Sequence, residues 1–116
     1  MKTILIAEDN DSNYILMTYI LKRNYNLLRA RHGGEAVEMV ANNEVDMILM
    51  DIKMPIMDGL EATRKIRETH PSLPIIALTA NAFDSDREQA LAAGCSDFLP
   101  KPVSSEVCLR TIAKYI

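Results

Sequence analysis

The chain has 116 residues, enough for one domain with a real core and too few for two. Its composition, 48% hydrophobic and 25% charged, excludes a disordered acidic tail. A net charge of −3 gives no general pull toward nucleic acid or an anionic membrane, and no apolar run reaches the length of a spanning helix. Nothing resembles a signal peptide. Lys22-Arg23 and Arg29-Arg31 read as solvated surface rather than as a phosphate-binding stripe. Cys95 and Cys108 have no ligand-like spacing with each other, His32 or His70. They read as small buried hydrophobes of a reducing cytosol, and neither histidine is assigned any chemistry.

Short apolar runs alternate with helical segments along the whole chain. Thr3–Ala7 is a continuous apolar stretch, as expected of a strand covered on both faces. Asn10-Asp11-Ser12-Asn13 can cap a helix running to about Asn24, with Ile15, Leu16, Tyr19 and Ile20 at helical spacing. Leu27–Ala30 is a second strand and His32-Gly33-Gly34 a turn. A short helix follows over Glu35–Asn42, with Ala36, Val37 and Val40 inward. Met47–Met50 is the third strand, and the loop Asp51–Asp58 follows. Asp58 and Glu61 have capping-box spacing for a helix to about Thr69. The segment His70-Pro71-Ser72-Leu73-Pro74 breaks the helix and leads into the strand Ile75–Leu78. Ser85 and Glu88 repeat the capping-box spacing, and Gly94 stands where a helix ends in a left-handed residue. Asp97–Leu99 is the fifth strand, and Ser104 caps a last helix to Ile116. The alternation predicts a five-stranded parallel sheet with helices on both faces and right-handed crossovers.

Four of these strands end in a chemically loaded residue: Glu8-Asp9, Asp51, Thr79 and Lys101. Ligands of open α/β sheets bind outside the carboxyl ends of the strands, where the strand order switches. Glu8, Asp9 and Asp51 offer oxygen ligands to a hard dication. Magnesium suits them better than zinc, since no His or Cys accompanies them. Asp51 is the candidate nucleophile, a weak one that a metal-neutralised phosphoryl group would make competent. Lys101 supplies a point charge and Thr79 a hydroxyl. Taken alone, Thr79 also reads as a β-branched strand end and Lys101 as a surface lysine. Lys101-Pro102 is a candidate cis peptide.

Those residues give the chain a family likeness over essentially its whole length. It resembles the receiver domain of two-component response regulators. Ile4-Leu5-Ile6-Ala7-Glu8-Asp9-Asn10 is similar to the family's first strand and acidic pair. Asp51-Ile52-Lys53-Met54-Pro55-Ile56-Met57-Asp58-Gly59 resembles its phosphorylation loop, and Ala77-Leu78-Thr79-Ala80 and Lys101-Pro102 its switch and lysine motifs. The resemblance implies a single receiver domain over 1–116, flavodoxin-like and doubly wound. It has five parallel strands in order 2-1-3-4-5 and five helices, arranged as a three-layer sandwich. It further implies that Asp51 accepts a phosphoryl group from a sensor histidine kinase or a histidine phosphotransfer protein. Mg2+ would be held by Asp9, Asp51 and the Lys53 main-chain carbonyl, with Glu8 acting through water. Thr79 and Lys101 would contact the phosphoryl oxygens, and the small Ala80 would leave room for them. Lys53 and Asn81 fall where the family tunes loss of phosphate. Phe98 falls at its switch aromatic, often a tyrosine, although it reads equally as a core phenylalanine. The implied output surface, which would bind a partner or a second copy, lies between the fourth and last helices (Ser85–Ala93 and Ser104–Ile116) and includes the fifth strand.

On this reading the protein is a cytoplasmic phosphoprotein, or the cytoplasmic domain of a membrane-bound hybrid kinase. It acts as a switch rather than a turnover enzyme and binds neither nucleic acid nor membrane. The first strand starts at Thr3, leaving no upstream domain, and an end at the last helix suits a stand-alone regulator or a piece of a larger protein. One rival is a magnesium-dependent phosphohydrolase with an aspartate nucleophile, of the haloacid dehalogenase type. Its D-x-D acid is replaced here by Lys53. Others are a flavin-binding module, disfavoured by the acidic Glu8-Asp9 loop, and a receiver-like module that is not phosphorylated.

Overall fold

The computed structural model describes residues 1–80 and 84–116, with the side chain of residue 84 also set aside. Five strands alternate with five helices: β1 Thr3–Ala7, α1 Asp11–Leu21, β2 Asn26–Ala30, α2 Gly33–Asn42, β3 Met47–Asp51, α3 Gly59–Thr69, β4 Ile75–Thr79, α4 Asp84–Ala93, β5 Asp97–Pro100 and α5 Ser105–Ala113. The strands form one parallel sheet in the order β2-β1-β3-β4-β5. Both agree with the sequence expectation. From β1 the chain steps outward to β2, then returns past β1 to β3. The order therefore switches between β1 and β3, and their carboxyl ends open a crevice.

Strand alternation divides the apolar runs between two cores. Leu5, Ala7, Ile48, Met50, Ile75 and Ala77 face α2, α3 and α4 through Ala36, Val40, Ala62, Ile66 and Ala90. Ile4, Ile6, Met47, Leu49, Ile76 and Leu78 face α1 and α5 through Met17, Leu21, Cys108 and Ile112. Each fully buried large side chain contributes about 1.5–3 kcal/mol relative to exposure. Central strands buried on both faces explain why β1, β3 and β4 read as unbroken apolar runs rather than as alternating ones.

Several local expectations hold and several do not. Asn10 Oδ1 accepts from the Asn13 N–H at 3.0 Å, and Asp58 Oδ1 from the Glu61 N–H at 2.8 Å, so both caps form. Gly94 has φ +113° after α4, the left-handed residue anticipated there, and the Lys101-Pro102 bond is cis. Ser104 occupies the N-cap of α5 but makes no side-chain cap bond. Ser85 lies inside α4, which starts at Asp84, rather than before it as the capping-box spacing implied. His32 is the N-cap of α2, its Nδ1 accepting from the Glu35 N–H at 3.2 Å, and the two glycines form the first helical turn instead of a separate turn. Helices α1 and α5 stop at Leu21 and Ala113, short of Asn24 and Ile116.

The larger correction concerns α1. Ile15, Leu16 and Tyr19 are 53%, 43% and 69% exposed, while Met17 and Leu21 are buried. Two apolar stripes share this helix, and helical period alone does not say which packs. The helix instead turns Met17 and Leu21, with Tyr14 alongside, toward the sheet. Arg29 also departs from its solvated reading, since its side chain is only 15% exposed.

Cys95 and Cys108 are both free and buried, as expected. Burial pushes the Cys108 thiol up to about 11 from its ordinary 9.0. Between those values the unfolded chain releases a proton that the folded chain retains, so stability falls as pH rises through that window. We expect Cys108→Ala to flatten the alkaline limb of a stability-versus-pH curve measured by urea unfolding. Parallel limbs for the two proteins would contradict it.

Candidate functional site

The Glu8 and Asp9 side chains leave adjacent residues just beyond β1, where the chain leaves the sheet for α1. There they converge instead of pointing to opposite faces. One carboxylate oxygen from each of Glu8, Asp9 and Asp51 lies within 4.8 Å of the others. Asp51 is the last residue of β3, across the crevice from β1. Glu8 is 1% and Asp51 6% exposed, whereas Asp9 faces solvent. Lys101 completes the group from just beyond β5. Its Nζ donates to Glu8 Oε1 at 2.7 Å and lies 3.1 Å from Asp51 Oδ2. The Lys101 N–H donates to the Thr79 carbonyl at 2.7 Å, which ties the lysine loop to the end of β4.

Electrostatics agree with the geometry. Burial, reinforced by the neighbouring Asp51 carboxylate, raises the Glu8 carboxyl above its usual range despite Lys101. Burial alone would lower the Lys101 ammonium, but Glu8 and Asp51 outweigh it and hold it above its ordinary value. Carboxylates this close and this dry demand positive charge. The three acids are hard oxygen donors without nitrogen or sulfur, with one of them open to water. That donor set fits magnesium, which keeps several waters and needs few carboxylates.

Beside these acids lies a cleft of about 210 Å³ lined by Asp51, Ile52, Lys53, Leu78, Thr79, Ala80, Asp86 and Lys101. The expected site residues Asp51, Lys53, Thr79, Ala80 and Lys101 all line it. The Lys53 N–H donates to Asp51 Oδ1 at 3.3 Å while its side chain is exposed at the mouth. Asp86 of α4 was not foreseen, because nothing in a solvated helix start distinguishes the residue that turns toward a cleft. Asn81 lies outside the described residues. Phe98 is half-buried on β5, packed against the core on the α2, α3 and α4 side, with the Arg87 guanidinium 5.3 Å from its ring centre.

Two backbone features shape the loop after Asp51. A Cβ on Gly59 would sit 2.2 Å from the Asp51 carbonyl oxygen, so only glycine lets the start of α3 approach β3. Ile56 has φ 68° and is 86% exposed.

With this geometry established, comparison with known proteins is decisive. A sequence model described as the response regulator receiver domain matches residues 4–113. The chain belongs to the response regulator receiver domain family. This receiver domain is 34% identical to the polar-differentiation response regulator DivK of Brucella anthropi, over 99% of its own length and 96% of that protein. It superimposes with TM-score 0.92 on the receiver domain of sensor histidine kinase PA1611 of Pseudomonas aeruginosa, a structure described with magnesium coordinated in its active-site cleft. That match is 38% identical and covers 98% and 96% of the two chains. A further match, TM-score 0.92 at 29% identity over 98% and 88% of the chains, is to the Saccharomyces cerevisiae co-crystal of the histidine phosphotransfer protein Ypd1 with the receiver domain of Ssk1. Curated relatives also include hybrid histidine kinases of Dictyostelium discoideum, of whose lengths the chain spans 3–7%. Among the described residues no helix is long and apolar enough to cross a membrane.

The loop after Asp51 carries a β-branched residue in left-handed backbone, a conformation costing about 1–2 kcal/mol for an L-residue. Glycine removes that cost at a smaller entropic penalty. Ile56→Gly is expected to raise stability by about 0.5–1 kcal/mol in chemical denaturation. A loss of stability would mean that the exposed Ile56 side chain packs against something that holds it.

Proposed function

We propose that the receiver domain is a phosphoacceptor switch. Asp51 takes a phosphoryl group from a phosphohistidine of a sensor histidine kinase or histidine phosphotransfer protein. The observation that carries this is Asp51 itself: a nearly buried carboxylate at the topological switch point, next to Lys101 and opening onto the cleft. A carboxylate oxygen of Asp51 attacks phosphorus, the phosphorus–nitrogen bond breaks, and the imidazole leaves with the bonding pair. Magnesium held by Asp9, Asp51 and the Lys53 carbonyl, with Glu8 through water, would neutralise charge on the incoming group. Lys101, already paired with Glu8 and Asp51, follows the charge to the phosphoryl oxygens, and the Thr79 hydroxyl hydrogen-bonds them. Ala80 leaves space. Lys53, at the mouth, governs how water reaches the acyl phosphate, with Asn81 as the second such position.

The domain performs its own phosphorylation and slow dephosphorylation and is not a turnover enzyme. A hydrolase of the aspartate-nucleophile type needs an acid two residues on, where Lys53 stands. The added charge biases Thr79, and α4, β5 and α5 shift with it, Phe98 among them. That face exposes Leu91, Val107 and Tyr115 at 44%, 37% and 37%, a surface for an output partner or for homodimerisation. The setting is the cytoplasm, whether the domain stands alone or within a hybrid kinase.

Two measurements test the chemistry. Asp51→Asn is expected to abolish labelling by a small-molecule phosphodonor in magnesium; undiminished labelling would place the nucleophile elsewhere. Lys53→Ala is expected to change the lifetime of the acyl phosphate severalfold at unchanged stability, and identical lifetimes would remove Lys53 from its proposed role.

A further inference from the structure

Arg29 is a nearly buried cation that the phosphoryl chemistry does not use. It stands on β2 opposite Ile6, one residue before the Ala30–Ala7 pair. The Glu8 N–H donates to the Ala30 carbonyl at 3.0 Å, extending the β1–β2 ladder past its last strand pair. Arg29 then takes the other side of the same residue. Its Nε and Nη2 both donate to the Glu8 carbonyl, at 3.2 and 3.1 Å. Its Nη2 also lies 2.9 Å from Asp11 Oδ1, and the guanidinium sits 4.4 Å from the centre of the Tyr14 ring. One side chain therefore links β2, the peptide between Glu8 and Asp9, and the first turn of α1.

That peptide joins two of the three converging acids. The Glu8 carbonyl in that peptide is held by Arg29, and the Glu8 N–H in the preceding peptide by Ala30. The chain is therefore held on both sides of Glu8, and the direction in which the Asp9 side chain leaves is constrained. We infer that Arg29 is a positioning residue for the divalent cation, orienting the Glu8-Asp9 pair toward Asp51. The inference rests on the metal-binding reading above and adds a residue to it. A planar fork clamps one carbonyl while stacking on a ring, which a lysine cannot reproduce. Charge and orientation pull in opposite directions here. A cation beside an acidic cluster weakens metal binding by repulsion, so removing it for charge reasons alone would tighten binding. Removing it as a clamp would loosen binding.

The test is calorimetric titration of the whole chain with Mg2+, comparing wild type, Arg29→Lys and Arg29→Gln, with thermal unfolding in chelator as a control. Outer residues that orient metal ligands typically change affinity by 10- to 100-fold. The expected result is a loss of about tenfold or more in both variants. Cys108→Ala, a core change on α5, should bind Mg2+ as the wild type does. Wild-type affinity in Arg29→Lys, with or without tighter binding in Arg29→Gln, would reduce Arg29 to a charge and overturn the inference. Equal weakening by Cys108→Ala would reduce it to general loosening and overturn it as well. If Arg29→Gln does not fold, Arg29→Lys decides, because it retains charge and stem and lacks only the fork. Failure of the wild type to bind Mg2+ would remove the metal reading, and the inference with it.

Discussion

The Lys101 ammonium holds two buried carboxylates together, and much of the site's behaviour follows from that contact. Glu8 and Asp51 come from strands on the two sides of the crevice, and Lys101 reaches both from beyond β5. A buried ion pair of this kind is weak evidence for stability, since desolvating the charges offsets most of their attraction. Its consequence is positional. The lysine is drawn into the crevice by charge that a cation and a phosphoryl group would later rearrange, so the resting contact also stores the geometry of the next one. The raised Glu8 carboxyl shows the same tension from the other partner: burial above all, and then the neighbouring Asp51 carboxylate, disfavour its charge.

Sheet topology makes this crowding possible. Parallel strands bring every carboxyl end to one edge, and the switch between β1 and β3 leaves a gap in which no crossover helix sits over the acids. Gly59 narrows the gap further by letting α3 begin against the Asp51 carbonyl. Above the Asp51 edge the cleft is open enough for a phosphoryl group and closed enough that Asp51 is barely exposed. Stability and chemistry are kept apart in space, with the apolar sheet faces supplying one and a few strand-end residues the other.

How much of this was legible in the sequence depended on the range of the interaction. Strand order, helix sequence and the gathering of Glu8, Asp9, Asp51, Thr79 and Lys101 follow from apolar runs and from what ends them. Both are local patterns made global by parallel topology. The errors occur where two local patterns compete or where a partner is distant. Helix α1 carries two apolar stripes of similar strength, and only tertiary packing selects Met17 and Leu21 over Ile15, Leu16 and Tyr19. Ser104 has the right chemistry for a cap and stands at the right place, yet its hydroxyl makes no cap bond. Arg29 looked like a surface charge because its partners lie 15 to 21 positions earlier in the chain, across a strand pair whose register no local signal reports.

The same contrast of range bears on Phe98. A tyrosine at this place would offer a hydroxyl to a partner, and phenylalanine offers only a ring face and its burial. The structure supplies a different hold, the Arg87 guanidinium of α4 over the ring. A half-exposed cation–π contact of this kind is worth about 0.5–1 kcal/mol. That is little more than thermal energy, and less than a phosphoryl group would contribute through the proposed charge-assisted hydrogen bonds at Thr79 and Lys101. The tie between α4 and β5 is therefore strong enough to give the resting ring a preferred place and weak enough to yield. Because the hold comes from α4 itself, any shift of that helix releases the ring directly, with no hydroxyl partner needed.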